Sequence, residues 1–314
     1  MLTVFPKFTP LSKVQPSEVK KIIENYEPYS DFNYVSLFSW NTDDSTKLAT
    51  LNGNLIISLK NYLDDKHNLM IIGDNEIDKS LDDMFVYGNR LSPPIKVVEM
   101  VPEVVVKNIK YLSNYKIDED FDNNDYVLLS SEALNLDGKK YTNKRKNINR
   151  FKREYEARIE KVVLNLEDPH ITELIKDLCT KWDKQKTKSA NNVGSLLKET
   201  DETIAIKRLL HNISFLKKYF DIYAVGILIG GALGAFCIYE KLENQWSISH
   251  FGKADNTYKN MYEYLMNEVL IDVSNKGCTL LNYEQDLGIV GIRESKMSCK
   301  PIKFLSKYTV YSNK

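Results

Sequence analysis

Between residues 282 and 296 the chain places Asn282, Tyr283, Glu284, Asp286, Arg293 and Lys296, two carboxylates and two cations among them. A carboxylate can take the proton of an attacking amine or hydroxyl. Arginine and lysine can hold a phosphate or carboxylate group. "CTLLNY" predicts a strand and "LGIVGIRESKM" a short helix, so Glu284 and Asp286 fall at the strand's C-terminal edge. Arg293 and Lys296, at i, i+3, share a face of that helix. Read functionally, this cationic pair and Glu284 surround a single pocket, with Glu284 or Asp286 as the acid/base residue. Read structurally, Asp286 is simply the N-cap of the helix that carries Ile289 and Ile292.

Two further segments could bind anions. From Lys139 to Arg153 there are eight cations, among them Lys140, Lys144, Arg145, Lys146 and Arg150. As a helix this stretch keeps Tyr141, Ile148, Phe151 and Tyr155 on one side. Like charges at i, i+4 (Lys140/Lys144, Lys146/Arg150) disfavour an isolated helix. A phosphate-rich partner would offset that cost, be it a phospholipid head group, a cofactor pyrophosphate or an RNA backbone. A plain solvated face explains the composition equally well. Lys144, Arg145 and Asn149 are the binding candidates here. The other segment, "SISHFGKADNTYKNMYEYL", predicts a strand and then a helix starting near Asn256 or Thr257, whose free N–H groups would face the preceding loop and Lys253. Asp255 or Thr257 reads as an ordinary cap, and His250 as a satisfied core histidine.

The elements that must position these groups are legible in outline. The 314 residues are 43% hydrophobic and 27% charged, enough for a proper core. Four dispersed cysteines, none at CxxC spacing, fit a reducing cytoplasm and no structural zinc. Four scattered histidines suggest no metal site. Residues 1–135 hold 21 acidic and 13 basic side chains, whereas the remainder holds 22 and 30. That asymmetry points to an anionic partner for the second half or to attraction between the halves. In the first half, "PSEVKKIIENY" and "DFNYVSLFSW" predict helices, and Asn52-Gly53 predicts a type I′ hairpin. Strands at "NLMIIG" and "IKVVEM" alternate with helices at "NEIDKSLDDMFVYGNRL" and "PEVVVKNIKYL". The acidic stretch 117–125 reads as an exposed connection. In the second half, strands at "DYVLLS" and "IEKVVLNL" flank the basic helix, and helices follow near 169–187 and 200–218. Strands at 222–229, 232–240 and 245–252 come next, and "KFLSKYTVYS" closes the chain as a strand. The apolar run 223–239 contains four glycines and reads as a hairpin turning at Gly230-Gly231, not as a membrane span. The expected protein is cytoplasmic, with at most peripheral membrane contact and no signal peptide. In each half a hairpin-bearing sheet is followed by helix, strand and helix, which predicts an α+β chain of two related mixed domains, 1–135 and 136–314.

With these segments in hand, a resemblance becomes visible. "NYEQDLGIVGIRESKMSCKP" resembles the signature of a family of uncharacterised bacterial proteins related to the soluble C-terminal domain of phosphatidylglycerol lysyltransferases. Asn282, Glu284, Gln285, Asp286, Leu287, Gly288, Gly291, Arg293, Lys296, Ser298 and Pro301 match it. "GKKYTNKRKNINRF", "HFGKADNTYKNMY" and "SDFNYVSLFSWN" resemble three other motifs of that family, and all four lie in order along the chain. Tyr283 stands where the pattern has Arg, Thr142 where it has His, Gly252 where it has Glu, and Asn260 where it has Gly. The resemblance implies two tandem GNAT-like (acyl-CoA N-acyltransferase) domains. It further implies two splayed parallel strands, here 245–252 and 278–283, with the donor between Phe251, Gly252 and Lys253 on one side and Tyr283 and Glu284 on the other. Transfer of an acyl or aminoacyl group to an amine or hydroxyl, on a small molecule or a lipid head group, is the implied activity. No cofactor is expected to be tightly bound. The usual pyrophosphate loop is missing before residue 257, which favours aminoacyl-tRNA over a CoA ester as donor. The alternative expectation is a non-catalytic module that binds a phosphate-rich ligand or RNA through its basic groove.

Overall fold

The computed structural model describes residues 1–60, 67–189 and 199–313. Its contacts divide the chain into two compact units: Met1–Tyr126 with Gln285–Arg293 and Phe304–Lys314, and Val127–Glu284 with Glu294–Lys303. Both combine mixed sheets with flanking helices, so the class is α+β as expected.

In the first unit the hairpin Lys47–Leu51/Asn54–Lys60 turns at Asn52 and Gly53, both left-handed (φ 52° and 85°), as a type I′ turn requires. His67–Ile72 pairs with the second arm. One face of this sheet, including Ala49, Ile56, Leu69 and Ile71, packs on the helix Ile77–Gly88. That helix offers Ile77, Leu81, Met84 and Phe85, the spacing of one helical face. A second sheet, in the order Val97–Pro102, Lys307–Ser312, Tyr115–Glu119, adds Val98, Val101 and Val310 to the same core.

The expectation of an exposed acidic connection at 117–125 is corrected here. Tyr115–Glu119 is a strand paired with Lys307–Ser312, and Asp125 opens another strand, Asp125–Leu129. Asp125 and Lys307 are both fully buried, with Lys307 Nζ 2.7 Å from Asp125 Oδ1. Ser30 donates its N–H (2.8 Å) and its hydroxyl (2.7 Å) to the same carboxylate. Lys307 also pairs with Asp31. Burial pushes the Asp31 pKa up, and the neighbouring Lys307 offsets only part of that rise. An acidic run looks solvated until a cation from the other end of the chain arrives to neutralise it. The closing segment is likewise two strands in different sheets, Lys303–Leu305 and Lys307–Ser312.

The sheet of the second unit runs in the order Lys303–Leu305, Asp125–Leu129, Leu280–Asn282, Trp246–Ala254, Ala232–Lys241, Asp221–Ile229, Ile159–Val163. The apolar run 223–239 is a hairpin, reversed at Gly230 and Gly231 with φ of 60° and 82°. Among the described residues no helix is long and apolar enough to cross a membrane. The basic segment forms the helix Thr142–Tyr155, which buries Ile148 and Phe151. The helix expected from Asn256 or Thr257 begins instead at Met261 and runs to Asn275. Asp255 holds the preceding turn, accepting from Thr257 N–H at 3.0 Å and from its hydroxyl at 2.8 Å. Asn260 then enters the helix left-handed at φ 66°.

Removing Lys307 leaves two buried carboxylates without a counter-charge. Lys307→Met is expected to lower the unfolding free energy by about 3–5 kcal/mol in a urea titration; a change within error would show the cluster to be unimportant.

Candidate functional site

Two parallel strands of the second unit pair for three residues only: Trp246 with Leu280, Ser247 with Leu281, Ile248 with Asn282. The longer strand continues to Ala254 against its other neighbour, with a register shift between Ile238 and Tyr239. The shorter one leaves the ladder after Asn282. Backbone groups freed by this parting still need partners. Fully buried Asn282 supplies one: its Oδ1 accepts the Glu284 N–H at 2.7 Å. Glu284 is thereby held left-handed, at φ 55°. For a non-glycine residue that conformation costs about 1–2 kcal/mol, and such residues gather at functional sites. Lys296 supplies the other partner, its ammonium donating to the Tyr283 carbonyl while lying 4.3 Å from the centre of the Tyr283 ring.

Tyr262, from the helix Met261–Asn275, lies between the two strands. The Tyr283 hydroxyl donates to the Tyr262 oxygen at 2.9 Å. A Cβ added at Gly252 would lie 3.2 Å from that same oxygen, so the phenol approaches the bare backbone of the longer strand. Burial raises the pKa of both phenols, and they remain neutral at any physiological pH. Cys299 lies within electrostatic reach of Tyr262 and Tyr283, and Glu284 within reach of buried Cys237. The wall formed by these residues therefore combines two neutral hydroxyl groups, one ammonium and one carboxylate.

The other candidates of the second unit have these surroundings. Lys144 is buried on the basic helix, with its Nζ 3.5 Å from Cys299 Sγ. Arg145 donates to the carbonyls of Leu136 and Gly138 (2.9 Å for the latter), closing the loop before its helix. Asn149 is exposed, as are Lys139, Lys146, Arg150, Lys152 and Arg153. Lys253 is 2% exposed; it pairs with Glu202 and sits 3.3 Å from the centre of the Trp182 ring. Asp255 accepts from Gln185 at 2.8 Å and from Lys181. Burial alone would raise its pKa, but the Lys181 and Gln185 hydrogen bonds bring it down to about 2. His250 is buried with its Nε2 3.2 Å from Glu240 Oε2.

Asp286 and Arg293 belong to the first unit. Arg293 grips the fully buried Asp286 with two hydrogen bonds, each 2.8 Å, and reaches Asp122 at 2.6 Å. The Gly288 N–H (2.8 Å) and the Tyr126 hydroxyl complete the Asp286 carboxylate. Burial works against its ionisation, yet Arg293 and Tyr126 hold its pKa below the usual carboxylate range. The structure thus brings Lys296, Tyr283, Asn282 and Glu284 together, and joins Arg293 to Asp286 and Asp122 instead. Sequence reasoning missed Tyr262 and Cys299. Tyr262 is the second residue of the helix Met261–Asn275, and the missing side chain at Gly252, which its hydroxyl approaches, is the signal that marks it. Among the described residues no group of three or more His, Cys, Asp and Glu side chains could hold a metal ion.

Comparison with known proteins bears on this arrangement. Residues 97–311 match the sequence profile of the family described as phosphatidylglycerol lysyltransferase, C-terminal. An uncharacterized protein of Mycoplasmoides gallisepticum is 28% identical over 186 residues, which are 59% of this chain and 55% of that protein, so the chain spans about half the length of this relative. A conserved protein of unknown function from Bacteroides thetaiotaomicron superposes with a TM-score of 0.79 at 21% identity, over 98% of this chain and 99% of its own. The C-terminal domain assigned to a lysylphosphatidylglycerol synthetase of Agrobacterium fabrum superposes at 0.63 with 12% identity, over 95% and 92%.

The depressed Asp255 carboxylate makes a pH prediction. Its folded-state pKa, about 2, lies below the usual value of 3.8, so its stabilisation is complete above about pH 4 and is lost as the pH falls toward 2. Asp255→Asn should flatten the acid limb of a Tm-against-pH curve over that interval. An unchanged limb would contradict the ion pair with Lys181.

Proposed function

Because the chain belongs to the family of phosphatidylglycerol lysyltransferase C-terminal domains, we propose that its second unit transfers an acyl or aminoacyl group from an activated ester or thioester to an amine or hydroxyl. The observation that carries this reading is the parting of the two parallel strands, where Glu284 follows the end of the shorter one and the Tyr262 hydroxyl, bonded to Tyr283, lies beside Gly252 of the longer one. A carbonyl lying in that gap meets what acyl transfer requires. Glu284 accepts the proton of the attacking amine or hydroxyl. Tyr262 already accepts a hydrogen bond from Tyr283, which leaves its own proton for the carbonyl oxygen as negative charge develops there. Lys296, fixed on the Tyr283 carbonyl and ring, adds positive potential beside it. Asp286 and Arg293 serve as positioning residues, since their hydrogen bonds fix the turn at Asp286–Gly288.

An aminoacyl-tRNA donor suits the chain better than a CoA ester. Residues 254–260, which lead into the helix at Met261, contain no glycine and offer no Gly-rich cradle for a pyrophosphate. The exposed cations of the Thr142–Tyr155 helix offer an electrostatic dock for an RNA backbone, whereas Lys144 is buried against Cys299. Lys253 takes part as a buried brace on Glu202 and Trp182, not as a free cation. The acceptor is a small molecule or a lipid head group presented at a membrane surface, with the protein acting from the cytoplasm.

Two variants test the reading with aminoacyl-tRNA as donor and, as acceptors, free amines or phosphatidylglycerol vesicles. Glu284→Gln should slow transfer by about 10²–10⁴-fold with an unchanged Tm, and Tyr262→Phe by about 10²–10³-fold with a lowered Tm, since the buried Tyr283 hydroxyl loses its acceptor. Transfer at the wild-type rate in either variant would remove that residue from the chemistry. Salt-sensitive tRNA binding without turnover would contradict the enzyme and favour a binding module.

A further inference from the structure

Lys144 and Cys299 are 155 positions apart in sequence, yet their Nζ and Sγ atoms lie 3.5 Å from each other. Lys144 is 6% exposed and Cys299 9%, and neither is where its type usually settles with such a partner. A buried ammonium is normally matched by a carboxylate. Here, among the described residues, the sulfur is its polar contact, and a thiol is a weak acceptor. All four cysteines are free, so Cys299 is not committed to a disulfide. The pair sits beside Tyr141, Tyr262 and Tyr283, each of which is within electrostatic reach of Cys299.

We propose that Lys144 and Cys299 form a reversible covalent cross-link under peroxide, an oxidative switch built into the wall of the candidate site. Hydrogen peroxide is the oxidant. The Cys299 sulfur attacks the O–O bond, giving a sulfenic acid and one water. The Lys144 ammonium gives up a proton to solvent, and its neutral nitrogen then attacks the sulfenic sulfur, forms an S–N bond, and passes one N–H hydrogen to the departing hydroxyl, which leaves as a second water. Sulfur loses two electrons, the peroxide gains them, and the linked side chains together have lost two hydrogen atoms. A sulfenic acid condenses in the same way with a backbone nitrogen; here the lysine nitrogen, held against the sulfur, competes with further oxidation by peroxide. A thiol reductant restores both side chains. The link would immobilise Lys144 and draw its charge out of the site, and that consequence for transfer rests on the function proposed above. The cross-link itself does not.

Peptide mapping of the full chain without reductant, before and after brief peroxide treatment, tests the cross-link apart from any activity. The expected product joins the Lys144 and Cys299 peptides at two hydrogen atoms below their summed mass, disappears with dithiothreitol, and is absent from Cys299→Ser and Lys144→Arg. Closure of so long a loop should also raise the Tm of the oxidised protein relative to its reduced form. Conversion of Cys299 to sulfinic acid with Lys144 unmodified, a disulfide to another cysteine, or an unreacted Cys299 would each overturn the proposal. Failure of the Lys144→Arg variant to fold leaves the wild-type map and Cys299→Ser to decide it.

Discussion

Parallel strands that stop pairing leave backbone groups without partners, and most of the second unit's local chemistry follows from how these are satisfied. Beyond Ile248 and Asn282 the ladder ends, so the Tyr283 carbonyl and the Glu284 N–H need other partners. The side chains of Lys296 and Asn282 provide them. One consequence is the left-handed Glu284, held against its conformational preference. Another is that Lys296 is fixed as a charge, with its ammonium tied to backbone and seated over a ring. The backbone of Glu284 and the ammonium of Lys296 are thus both fixed by hydrogen bonds.

Charge burial is the second theme, and each unit handles it with its own network. In the first, Lys307 meets Asp31 and Asp125, and Arg293 meets Asp286 and Asp122. In the second, Lys253 meets Glu202 and an indole face. Such pairs contribute less to net stability than their geometry suggests, because desolvation cancels much of the attraction, but removing one partner is severe. Lys144 departs from this pattern. Its partner is a thiol, and a buried cation so weakly matched is the kind of group that ligands or covalent chemistry can recruit.

Local patterns carried much of the fold in advance. Asn52-Gly53 and Gly230-Gly231 marked their hairpins because those turns demand left-handed residues. The helix Ile77–Gly88 falls within the predicted segment "NEIDKSLDDMFVYGNRL". What stayed hidden depended on partners far along the chain. Asp125 looked solvated because Lys307, 182 positions away, is invisible to a local window. The helix start moved from Thr257 to Met261 because Asp255 takes Thr257 into a turn. The candidate site was legible in Asn282, Tyr283, Glu284 and Lys296, which the structure gathers, while Arg293 turned toward Asp286. Tyr262 escaped notice because its value lies in the missing side chain at Gly252, a feature of space that composition does not record.

The parted strands can be tested most directly by a crystal structure with a non-hydrolysable 3′-amide analogue of an aminoacyl-adenosine. The analogue's carbonyl oxygen is expected within hydrogen-bonding distance of the Tyr262 hydroxyl, with its aminoacyl carbon facing Glu284. An analogue bound elsewhere on the protein, or a gap still filled by Tyr262 and Tyr283 at saturating analogue, would contradict the assignment of this gap as the transfer centre.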